Sequence, residues 1–186
     1  MKKHLDSIRT AYDEFYNHLL KQGRLPVKDT GIGFWGPALT DELCELFQII
    51  EMKNKRFLDL GSGDGKAVII ASLFTRATGI EIDPWLIDVS KHMRSRLSHL
   101  PDVSRAEFIR DDFLKRGLGD YDLIFCNPDT PLFRGLETKL LSELRGKLIL
   151  YGFVYEPRFL NKEEEIKIGG TRVSVFTNLK SATQDS

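Results

Sequence analysis

The stretch FLDLGSGDGKAV, Phe57 to Val68, places glycines at Gly61, Gly63 and Gly65 between two apolar runs. A turn without side chains lets a ligand come close to the backbone. A phosphate loop of the form G-x-x-x-x-G-K-[ST] fails here at two places. Its first glycine falls on Leu60, and its metal-binding hydroxyl falls on Ala67. The dinucleotide pattern G-x-G-x-x-G also misses, because Lys66 stands where the third glycine belongs. That spacing weakens a nicotinamide dinucleotide without excluding it.

Polar residues that close apolar runs suit a third ligand, S-adenosylmethionine. It joins a sulfonium cation to a zwitterionic amino acid and carries no phosphate. Asp59 supplies negative charge for the cationic end. Asp64 is expected to cap the following helix, whose free N–H groups can meet the ligand carboxylate. Glu81 can accept both ribose hydroxyls, as an acid at this place would in a nicotinamide enzyme too. Ile82 and Trp85 can flank an adenine ring. Asp112, in preference to Asp111, can accept the adenine amino group.

Alternating elements must position these groups. Residues 4–21 read as an amphipathic helix on Leu5, Ile8, Tyr12, Phe15 and Leu19. A Gly- and Pro-rich loop follows, then a helix over Leu39 to Ile50 with Thr40 as a plausible N-cap. RFLDL, ATGIEI, AEFIR, YDLIFCN and KLILYGF read as strands, with helices over KAVIIASLF, PWLIDVSKHMRSRLSHL and LFRGLETKLLSEL. EEIKIGGTRVSVFTNL reads as a hairpin turning at Gly169-Gly170. Strands that alternate with helices imply a parallel sheet covered on both faces, with ligands at the strands' carboxyl ends.

FLDLGSGDGKAV, GIEIDP, FIRDDF and YDLIFCNP stand in the order and spacing of the class I S-adenosylmethionine-dependent methyltransferases. The chain resembles that family from about Arg56 to Leu150, plus the terminal hairpin. The resemblance implies an α/β, Rossmann-like fold. Its sheet would have seven strands, mostly parallel, with a C-terminal antiparallel hairpin and helices on both faces. It also implies cofactor contacts at Asp59, Gly61, Gly63, Glu81, Asp112 and Asn127, with Ile82 and Phe113 beside them.

The segment CNPDTPLF resembles the Asn-Pro-Pro-aromatic motif of methyltransferases that act on amino nitrogens of adenine, guanine or glutamine. A conjugated amine is a poor nucleophile. The Asn127 side-chain carbonyl and the Pro128 backbone carbonyl can each accept one N–H, which aims the lone pair at the methyl group. Asp129 replaces the second proline and Thr130 the aromatic, so Asp129 could instead hold or deprotonate a more basic amine. The catalytic candidates are thus Asn127, Pro128 and Asp129. DLGSGDGKAVIIAS with GIEIDP is also similar to small lysine methyltransferases of prokaryotes and mitochondria. Those enzymes carry a Pro-rich segment where this chain has GIGFWGPA. The first helix and that segment are expected to cover the transfer centre, with Phe34 and Trp35 on the substrate side.

Composition bounds these readings. The 186 residues suit one domain, and Lys plus Arg and Asp plus Glu each number 27. Balanced charge gives no sign of a generic nucleic-acid or membrane binder. Two cysteines, Cys44 and Cys126, form no CxxC pair and suit a reduced, cytoplasmic protein. No apolar run is long enough to span a membrane, and His4, His18, His92 and His99 show no ligand spacing, so no metal is expected. Residues 1–53 are expected to form the helical cover and substrate-side segment. Residues 54–180 would form the S-adenosylmethionine-binding core, and 181–186 a flexible tail. The function expected is N-methylation of a protein lysine, a nucleobase or a small amine. The alternatives are a non-catalytic S-adenosylmethionine-binding regulatory module, or an NAD- or nucleotide-linked enzyme. The oligomeric state is left open.

Overall fold

A computed structural model describes residues 1–128, 135–152 and 156–178. Helix α1 (Lys2–Lys21) buries Ile8, Ala11, Tyr12 and Leu19 on one face. It stops at Gly23, whose φ of 73° lets Gly23 and Arg24 donate to the carbonyls of Leu20 and Leu19 at 2.9 Å each. The next segment is more ordered than its composition suggests. Strands β1 (Lys28–Asp29) and β2 (Phe34–Trp35) pair antiparallel, Lys28 opposite Trp35. Helix α2 (Thr40–Ile49) begins after an extended Leu39. Thr40 therefore lies inside the first turn and not at the N-cap, and Asp41 and Glu42 supply the negative charge that a helix start favours.

The remaining strands are β3 (Arg56–Leu60), β4 (Arg76–Glu81), β5 (Ala106–Arg110), β6 (Leu123–Cys126), β7 (Lys147–Tyr151), β8 (Asn161–Ile168) and β9 (Thr171–Thr177). They form one seven-stranded sheet in the order β5-β4-β3-β6-β7-β9-β8. The first five in that order run parallel, and β9 lies antiparallel to both β7 and β8. Strand β8 extends further back than the apolar pattern suggests. Its first five residues are exposed and mostly charged, as suits an edge strand that must not pair with a neighbouring molecule.

Helices α1, α2, α3 (Lys66–Ser72) and α4 (Pro84–Arg96) pack on one face of the sheet. Their core joins Tyr12, Phe47, Ile69 and Met93 to Phe57 and Phe125 of the strands. The other face buries Leu58, Ile124 and Leu148 beneath α5 (Leu136–Glu143) and a 3₁₀ turn at Phe113–Lys115. Ring edges of Phe47 meet Phe57 and Phe125, with centroids 5.2 and 5.8 Å apart. All three rings are within 2 % of full burial. Phe47→Ala should therefore cost roughly 3–5 kcal/mol, the usual range for a lost core aromatic, read as a lower urea midpoint.

Candidate functional site

The parallel strands end together on one edge of the sheet, and a cavity of about 560 Å³ opens there. Its floor is the glycine loop between β3 and α3. Gly63 has φ 54°, and a Cβ there would lie 2.5 Å from the indole of Trp35, so only glycine fits. Gly61 has φ 76° and open space where a Cβ would point. The Ser62 hydroxyl is buried in contact range of Gly79 on β4 and, among the described residues, has no hydrogen-bond partner.

Asp59 sits at the centre of this edge. Its carboxylate is 4 % exposed, lines the cavity, and among the described residues accepts no hydrogen bond. Burial raises its pKa well above the usual range, and the negative charges of Glu81 and Asp64 push the same way. Glu81, at the end of β4, is engaged by the backbone. Its Oε1 accepts from Ile82 and Asp83 at 2.9 and 2.8 Å, and its Oε2 accepts from Gly63 at 2.9 Å. Glu81 thus clamps the glycine loop to β4 and keeps one lone-pair direction of Oε2 for a ligand hydroxyl.

The aspartate pair after β5 divides. Asp111 turns outward to Arg116, 2.5 Å away. Asp112 lines the cavity, half-buried, and accepts the Leu114 N–H at 3.0 Å, which starts the 3₁₀ turn carrying Phe113. Ile82 and Phe113 also line the wall. Trp85 does not: it packs edge-on against Trp35, centroids 5.7 Å apart, beneath Arg24 and Lys28. Asn127 and Pro128 reach the same cavity from the end of β6. Asp129, Thr130 and the tail lie outside the described residues.

The segment over the cavity comes from the β1–β2 hairpin and the residues beside it. Val27, Thr30, Ile32, Phe34 and Trp35 line it, Phe34 being 65 % exposed and Trp35 6 %. Helix α1 contributes no lining residue. It stands behind the site, where Tyr16 donates to Asp64 Oδ2 at 2.5 Å and Tyr12 donates to the Asp64 carbonyl at 3.0 Å. The Trp35 indole also donates to Asp64. Asp64 Oδ1 accepts the Lys66 N–H at 3.2 Å, one of the N–H groups at the start of the short helix α3. Sequence reading finds Asp64 as a cap but misses Tyr12, Tyr16 and Lys66. The tyrosine spacing of four residues, one face of a helix turn, is the available signal.

The donor set suits a ligand with a cationic centre, ribose hydroxyls and a flat ring. The fit rests on Asp59, which among the described residues has no hydrogen-bond partner. Among the described residues no cluster of His, Cys, Asp and Glu could hold a metal ion.

Strand order, antiparallel β9 and glycine loop together are decisive. The chain has the fold of the class I S-adenosylmethionine-dependent methyltransferases. An RNA methyltransferase from Salinibacter ruber, solved with S-adenosyl-L-homocysteine, superposes on this methyltransferase fold with a TM-score of 0.62. That match is 19 % identical and covers 80 % of this chain and 97 % of the other. By sequence, the chain is 31 % identical over 111 residues to a human ATP synthase lysine N-methyltransferase, 58 % of this chain and 46 % of the relative. It is 29 % identical over 148 residues to the ribosomal protein L11 methyltransferase of Prochlorococcus marinus, 75 % of this chain and 48 % of the relative. The chain spans about half the length of these curated relatives. No family model matches it.

A buried acid whose folded pKa is raised binds more protons in the native state, so stability falls as pH rises through the raised pKa. Asp59→Asn removes that burden. It should stabilise the ligand-free protein by roughly 1–2 kcal/mol, about 2–8 °C at this size, and more at pH 8 than at pH 5. The same variant should lose affinity for a cationic ligand. Melting curves across pH, with and without ligand, check both.

Proposed function

We propose that this chain is an S-adenosylmethionine-dependent methyltransferase that acts on an amine or amide nitrogen. The carrying observation is that Asn127 and Pro128 line the same cavity as Asp59, Glu81 and Asp112. Methyltransferase names among the relatives support the reading.

Bound S-adenosylmethionine supplies a methyl group activated by its sulfonium. Asp59 would hold the cationic end, Gly61 and Gly63 would admit it to the backbone, and Glu81 would take ribose. Asp112 would accept from the adenine amino group between Ile82 and Phe113. Asn127 and the carbonyl of Pro128 would accept the acceptor's N–H groups and aim its lone pair, a positioning role that also stabilises developing positive charge. Asp129 would take the proton that a basic amine must lose. Within the N-terminal segment 1–53, the residues from Val27 to Ala38 would cover the centre, Phe34 at the mouth and Trp35 in the wall, with α1 behind them, on a core of residues 54–180. Excluding water there strengthens every charge interaction inside. The acceptor is a protein lysine or glutamine, a nucleobase or a small amine. No described helix is long and apolar enough to cross a membrane. Two cysteines, Cys44 and Cys126, with no CxxC pair, would fit a reducing, cytoplasmic setting.

Incubation of a cell extract with methyl-labelled cofactor tests this. Label should pass to a component that either protease or nuclease treatment releases, or to a small amine. Asn127→Ala should cut transfer at least about 100-fold while binding of the demethylated cofactor stays within about threefold. Full transfer by Asn127→Ala would remove the proposed role.

A further inference from the structure

Lys66 opens α3 directly behind the glycine loop and is 5 % exposed. Its ammonium donates to the Ala38 carbonyl at 2.8 Å. It lies over the rings of Tyr12 and Tyr16, 5.2 and 4.6 Å from their centroids. Among the described residues no carboxylate oxygen stands within 4.0 Å of it. Asp64 and Asp13 act on it only through space, and Asp64 is occupied by Tyr16, Trp35 and the Lys66 N–H. Burial lowers the Lys66 pKa, the mark of an ammonium short of compensation. A buried cation normally has a direct anionic partner, because losing its water is otherwise costly.

Lys66 is also part of the cavity wall, and the only cationic side chain among the described lining residues. The acids Asp59, Glu81 and Asp112 line the same cavity. A ligand that is cationic or hydroxylated over most of its length, with one carboxylate, matches this segregation.

The geometry points to Lys66 as the residue that binds the carboxylate of the cofactor's amino-acid end, leaving the ammonium to Asp59. Through Ala38 the same ammonium ties that contact to the segment over the cavity. The assignment rests on reading the cavity as an S-adenosylmethionine site. It makes Lys66 a selector for ligands that carry the carboxylate.

Calorimetric titration of the full chain with S-adenosylhomocysteine and with its decarboxylated analogue separates the possibilities. The wild type should bind the carboxylate-bearing ligand at least about tenfold more tightly, some 1.4 kcal/mol. Lys66→Met should bring that ratio close to one, while affinity for the decarboxylated analogue changes less than about threefold. Lys66→Gln, which keeps a donor for Ala38, should behave alike and guards against a Met variant that fails to fold. A ratio that either folded variant leaves unchanged, or a wild type that binds both ligands equally, overturns the assignment. A purely structural lysine would weaken both ligands together, which also overturns it. If the wild type binds neither ligand, the cofactor reading itself fails and this assignment falls with it.

Discussion

A carboxylate without a hydrogen-bond partner among the described residues is the constraint on which this structure turns. Asp59 lies next to the end of β3, the middle one of the five parallel strands, where burial and two neighbouring acids oppose its charge. A chain selected for stability alone would place an apolar or amide side chain there, since a lone buried charge costs several kcal/mol. The surroundings leave it uncompensated. Glu81 spends three of its acceptor directions holding the glycine loop, and Asp64 spends its own on the N-terminal elements. Three acids thus line the site before any ligand enters, and hydrogen bonds already fix Glu81 against the glycine loop, an arrangement that favours binding a cation.

The second constraint is how the N-terminal elements are fixed to this loop. Asp64 gathers Tyr16 of α1, Trp35 of β2 and the start of α3. Lys66 reaches Ala38, and the Trp35 indole lies where a side chain at Gly63 would be. Ligand loop and cavity roof therefore share side chains, so moving one disturbs the other. Glu42 adds a separate tie, accepting from Tyr151 at the end of β7 and from Gly170 in the hairpin turn. Helix α2 is joined in this way to the strands that follow the site.

Much of this was legible in the sequence because it is local. Strands β3 to β7 are short apolar runs closed by a polar residue, and the glycine spacing excluded a phosphate loop without a structure. Asp59, Glu81, Asp112 and Asn127 could be named because each ends a parallel strand, and parallel strands end on one edge. The parts not legible depend on distant or unpatterned contacts. Strand β8 begins with a charged run that has no alternation, and only its partner β9 makes it a strand. The β1–β2 pair is two residues long on each side, too short for a periodic signal. Lys66 looked like part of a failed phosphate loop. Its contact with Ala38 spans 28 positions, and Tyr16 reaches Asp64 across 48.

The central claim is that the cavity takes a cationic, phosphate-free adenosine ligand. Thermal melting of the wild type at neutral pH with S-adenosylmethionine, its demethylated product, NAD or ATP tests it most directly. At 100 times Kd a ligand adds about 2.7 kcal/mol, a midpoint rise of roughly 5–11 °C at this size. The account predicts that rise with S-adenosylmethionine and its product alone. A rise with NAD or ATP and none with S-adenosylmethionine would contradict it.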